Sequence, residues 1–142
     1  MADPRDAIRF DDIKPVFVTY KIDNSTITYD STKTRGSAQV DLAVTFSADD
    51  TVQLVGDGEA IEGKLISVDA DKKCVVQVGG FMTLPGGSGA TLTRGKKIVG
   101  DLGAASAEGY IREANTAVAA ELGVQRGRII NNGTTTAVVV VL

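Results

Sequence analysis

The stretch that decides the fold is "AIEGKLISVDADKKCVVQVGGFMTL", residues 60–84. Two apolar-rich runs flank "DADKK", a short polar loop. Runs of this length, rich in Val and Ile and joined by turn residues, read as a β-hairpin. Gly63 sits inside the first run, where a glycine marks a bulge or a close approach of another backbone.

The same texture extends outward. "VFVTYKI" (16–22) and "STITYDS" (25–31) read as strands split by the turn pair "DN". "AQVDLAVTFS" (38–47) alternates, with Val40, Leu42, Val44 and Phe46 on one face. Downstream, "LPGGSGA" is a turn, "EGYIREA" contains a strand over 109–114, and "EANTAVAAELG" suits a short helical or irregular excursion. Asn115 or Thr116 is its candidate cap and Gly123 its candidate stop. The end, "RIINNGTTTAVVVVL", reads as a hairpin about "NNG". From Ala137 onward its second strand is apolar on both faces. One face or both must be covered, by the chain's own core or by a neighbouring chain. Val138, Val140 and Leu142 share one face and are the candidate subunit interface.

Composition agrees with this strand-rich reading. Of 142 residues, 27 are Val or Ile and 14 are Thr, and such β-branched side chains pack better on pleated surfaces than on helices. The fold class expected is therefore mostly β: a small barrel or sandwich with at most one short helix. Residues 16–142 are expected to form a single domain. Residues 1–15, "MADPRDAIRFDDIKP", are charged and bounded by Pro4 and Pro15, yet carry Ile8, Phe10 and Ile13. They read as an extended arm that docks on something, and those three side chains are its candidate contacts.

The residues available exclude several chemistries. There is no histidine, which removes the commonest general base and the commonest zinc ligand. Cys74 is single and set among apolar neighbours, as a small buried hydrophobe would be. "GGSGATLTRGKK" (86–97) lacks the Ser or Thr after Gly-Lys that a phosphate loop requires, and a strand-like run follows it. "DADKK" lacks the later calcium ligands. Asp11–Asp12, Asp49–Asp50 and Asp57, Glu59 and Glu62 read as solvated acids near turns. No enzyme activity and no cofactor is expected. The charged start lacks the apolar core of a signal peptide, and no apolar run approaches the roughly 18 residues that cross a membrane.

Charge is unevenly distributed along the chain. Residues 1–71 carry fourteen acids and seven bases, and residues 72–142 four acids and eight bases, for a net charge of -3. That balance argues against nucleic acid as a direct partner. It suits contacts between proteins, unless folding mixes the halves and cancels the polarity. Arg94, Lys96 and Lys97 form a compact basic cluster and are a candidate contact patch for an acidic protein surface.

"DGEAIEGKLISVDADKKCVVQVGGFMTLPGGSGATLTRGKKIVG", followed by "GYIREA" and "GRIINNGTTTAVVVVL", resembles the small head decoration, or cement, proteins of tailed bacteriophages. The resemblance spans residues 51–142 and rests on strand-and-turn texture. It implies a β-rich, non-catalytic protein on the outer capsid surface of the virion, assembled in the host cytoplasm. It further implies bridging of major capsid subunits, clustering as trimers, and anchoring through an N-terminal arm. The alternatives are a phage tail or baseplate β-domain, or a glycan- or peptide-binding barrel. A glycan site would need aromatics gathered around Tyr20, Phe81 or Tyr110.

Overall fold

A computed structural model of the chain describes residues 15–134 and 138–142. Five strands close into a barrel: β1 (Val16–Ile22), β2 (Ala43–Ala48), β3 (Thr51–Leu54), β4 (Gly63–Val68) and β5 (Lys73–Gly79). Their order around the barrel is β1-β3-β2-β4-β5, with β5 returning to β1. Every pairing is antiparallel except that of β1 with β3, which is parallel. The expected mostly-β class holds, and the barrel is the form it takes.

The 60–84 stretch behaves as its pattern predicts. β4 and β5 pair across the Asp69–Lys72 turn, with Leu65 opposite Val76 and Val68 opposite Cys74. Gly63 is a close approach: a Cβ there would lie 2.2 Å from the Gln77 carbonyl oxygen. The bulge falls two residues later, between Leu65 and Ser67. Gly80, with φ at 90°, breaks the second run and releases β6 (Phe81–Leu84) from the barrel.

A second layer covers one side of the barrel. β6 joins β10 (Val138–Val141) and β9 (Arg128–Ile129) in one sheet, in the order β6-β10-β9, and β7 (Ile98–Asp101) pairs with β8 (Tyr110–Glu113) in another. The one α-helix among the described residues, α1 (Ala119–Val124), lies between β8 and β9. Two apolar cores result. Ile22, Ile27, Val44, Leu65 and Val76 are among the residues that fill the barrel. Ala43, Val55, Ile61, Leu84, Ile98, Ile111, Val138 and Val140 are among those packed between barrel and second layer. Neighbours in sequence divide between the two: Ala43 and Val44 face opposite ways, as do Leu54 and Val55. Backbone bonds bind the layers, with Gly109 N–H donating to Val55 O and Ala43 N–H to Gly109 O, both at 2.8 Å.

Three sequence expectations fail locally, each for a visible reason. Residues 25–31 are not a strand. The Asp23 carboxylate accepts N–H bonds from Ser25, Thr26 and Ile27, which curls the chain and drops Ile27 into the barrel core. Residues 38–42 are turn rather than strand, because Asp41 takes φ of 73° and β2 begins only at Ala43. Helix α1 starts later than the candidate caps; Asn115 instead receives the Ala117 N–H in a preceding turn. The final hairpin pairs as expected, Val140 opposite Ile129, but through a longer connection than a tight "NNG" turn.

Val138 and Val140 are 1% and 0% exposed in their own chain's core, and Leu142 packs against the same cluster. The first two side chains therefore have no surface to offer a neighbour. Val138→Lys combined with Val140→Lys buries two unpaired charges, and a circular-dichroism melt should show no folded protein. Gly63→Ala should destabilise by about 3 kcal/mol because backbone blocks the new methyl. Gly123→Ala, in open space on α1, should stabilise by about 1 kcal/mol in urea unfolding.

Candidate functional site

Three large apolar side chains of the barrel are exposed. Val16 and Phe17 open β1 and are 52% and 51% exposed; Phe46, late in β2, is 48% exposed. By strand direction β1 begins and β2 runs out at the same end of the barrel. The three do not form one cluster there. Val16 and Phe17 lie beside Gly79 and Gln77, whereas Phe46 lies opposite Val52 and against the Tyr20 ring. The β2–β3 turn meets the later half of β1, where Lys21 N–H donates to Asp50 O at 2.8 Å. The opposite end is plugged by Ile27.

Polar bonds set the geometry around this apolar end. The Tyr20 and Phe46 rings meet edge to face, with centroids 5.2 Å apart. The Tyr20 hydroxyl donates to the Glu62 carboxylate at 3.0 Å. Burial and that bond both hold the phenol's pKa above its ordinary value. Arg126, arriving from the second layer, donates to the carbonyls of Ile61, Glu62 and Val78 at 3.2, 2.7 and 2.6 Å. A rigid frame thus presents apolar surface where a folded chain would ordinarily bury it.

A second polar cluster centres on Arg112 in β8. Its guanidinium meets Glu121 of α1 in a two-pronged pair at 2.7 and 3.1 Å, and Asp57 at 2.9 Å. Asp101 of β7 lies 3.9 Å away. Glu121 also accepts the Asn115 N–H at 2.9 Å. The Arg112 bond is the main reason the Glu121 carboxyl sits below the usual range, and the same bond raises the Arg112 pKa. This cluster fastens the excursion of residues 114–127 to the body. Val118 and Leu122 are exposed on that excursion.

The remaining sequence candidates are placed as follows. Arg94, Lys96 and Lys97 are exposed, as a contact patch requires, in the loop before β7. Ile8, Phe10 and Ile13 lie outside the described residues. Tyr20 pairs with Phe46, while the Tyr110 ring covers Gly103, so these two aromatics serve different neighbours. The acids near residue 60 are engaged separately: Asp57 with Arg112, Glu59 with the Gly56 N–H, Glu62 with Tyr20. Among the described residues no group of His, Cys, Asp and Glu is arranged to hold a metal ion. None of their helices is long and apolar enough to cross a membrane. Burial pushes the Cys74 thiol up to about 11, which keeps it protonated in the barrel core.

The apolar barrel end was not singled out from sequence. Its signal was present in "VFV" (16–18), apolar on both faces at the head of a strand, the same feature that drew attention to the final valines. No protein-family model, curated protein or solved structure matches the chain.

The Arg112–Glu121 pair carries a pH signature. A carboxyl whose folded pKa is lowered stabilises the fold fully above its unfolded value, near 4.5, and that contribution is lost as pH falls through the folded value. Glu121→Gln should therefore cost about 2 kcal/mol at pH 7 in urea unfolding. The difference from the native sequence should shrink progressively below pH 4.5.

Proposed function

We propose that this chain is a non-catalytic β-barrel module that binds another protein through the apolar end of its barrel. The observation that carries this reading is the exposure of Val16, Phe17 and Phe46, three large apolar side chains each about half accessible on strands that begin or run out at that end. Burying a Phe or Val side chain at an interface contributes roughly 1.5–3 kcal/mol, so three together can anchor a contact. Residues 1–15, with Ile8, Phe10 and Ile13, directly precede β1 in the sequence.

The resemblance over residues 51–142 gives the narrower form of the reading. In it the partner is a major capsid subunit, the chain decorates the outer surface of a phage head, and residues 1–15 add a strand to a capsid element. Strand addition draws affinity from backbone hydrogen bonds and demands little of sequence. Repetition over a symmetric shell multiplies weak contacts through avidity. Clustering as trimers belongs to this narrower form too. The general module rests on the barrel end alone, and a peptide-binding or tail-component role would use the same surface.

Purified expanded phage heads, stripped of decoration, test the narrower form. The full chain should co-sediment with them. Occupancy should fall about tenfold for Phe17→Ser with Phe46→Ser, and similarly on deletion of residues 1–15. Absence of head binding by a folded chain removes the capsid reading. Binding that is unchanged in the Phe17/Phe46 variant removes the barrel end as the site.

A further inference from the structure

The charge polarity along the sequence survives folding. Residues 15–79, which make the barrel, carry ten acids and six bases; residues 80–142, which make the second layer, carry four acids and six bases. Two of those six bases are consumed internally, Arg112 by carboxylates and Arg126 by carbonyls. The other four, Arg94, Lys96, Lys97 and Arg128, are all exposed. None makes a side-chain hydrogen bond or ion pair with another described residue.

These four cations come from two segments that the backbone holds together. Gly95 N–H donates to Ile129 O at 2.8 Å, and Ile129 N–H returns a bond to Lys96 O at 2.9 Å. Arg94 N–H is fixed on the Asn132 side chain at 2.8 Å, and Lys97 O accepts the Ala114 N–H at 3.0 Å. Arg128 is locked opposite Val141 in the β9–β10 ladder. The result is a rigid cationic ridge. Like charges on neighbouring segments repel one another within a Debye length of about 8 Å, and no described carboxylate pairs with these four; the one acid tied to the segment, Glu113, accepts the Thr93 N–H at 2.6 Å.

We propose that the ridge formed by Arg94, Lys96, Lys97 and Arg128 is a second docking surface, and that its partner is an acidic protein surface. It is distinct from the apolar barrel end and does not depend on it. One observation favours a protein over a nucleic acid: no aromatic side chain occurs in residues 91–97 or 126–134 to stack a base. A second copy of the chain is a poorer occupant, because Asp41, Asp50 and Asp57 are already paired with Arg35, Lys21 and Arg112, and Asp23, Asp30, Glu59, Glu62 and Asp71 are held by N–H or O–H donors of their own chain.

The test uses the full chain and a fluorescein-labelled oligo-glutamate peptide, followed by anisotropy. Binding should weaken as salt rises. Arg94→Gln, Lys96→Gln and Lys97→Gln together should lower affinity about tenfold. Arg128→Gln, on the neighbouring strand, should lower it independently. Lys33→Gln, Lys72→Gln and Lys73→Gln together remove equal charge from the barrel and should leave binding intact. Equal losses in both triple variants, or no binding at all, would overturn the proposal. Duplex DNA bound as tightly as the peptide would also overturn it. So would self-association of the native chain, seen by sedimentation, that the ridge variant abolishes.

Discussion

The wall that β2 and the end of β3 build has two apolar faces, and the rest of the molecule is arranged around that constraint. Val44 and Leu54 fill the barrel, while Ala43 and Val55 point out of it. A closed barrel alone would leave the outer face wet. The second layer exists physically to cover it, and Ile98, Ile111, Val138 and Val140 supply the cover. Hydrogen bonds from Gly109 and to Gly109 hold that cover at backbone distance. An apolar surface sandwiched in this way gains burial on both sides of one strand, at roughly 25 cal/mol per Å2 of apolar area.

Much of this was legible in the sequence where local pattern and tertiary environment agree. β1 and the β4–β5 hairpin were readable because turn residues bound them and their β-branched runs suit pleated strands. The double-faced valines of β10 announced burial on both sides, and the core answers for Val138 and Val140. Reading failed where side chains competed with the backbone. Asp23 bonds three successive N–H groups and turns a strand-like stretch into a loop, a decision that one carboxylate makes against four β-favouring neighbours. Pattern also could not show that Phe46 lies at a barrel rim, because rim and interior share the same alternation.

The site was less legible than the fold, for a related reason. Periodicity tells which face a residue occupies but not how far along the barrel axis it lies. That Val16, Phe17 and Phe46 are left exposed follows from where β1 begins and β2 runs out on the barrel, which is a property of register and closure. The basic ridge was half visible. Arg94, Lys96 and Lys97 are contiguous, but Arg128 joins them through bonds between Gly95, Lys96 and Ile129 that no local pattern encodes.

The two-faced wall also orders events in time. The barrel's strands are complete once residue 79 has been made, yet the outer face of Ala43, Val55 and Ile61 has no lasting cover until Val138 and Val140 arrive. During synthesis at about 5–20 residues per second, that leaves seconds in which a finished barrel displays an oily flank. The pairing that closes the barrel, Val16 with Gly79, is itself long-range and slow to nucleate. A chain built this way is most vulnerable to aggregation between the completion of β5 and the arrival of β10, which acts as the latch that ends the exposure.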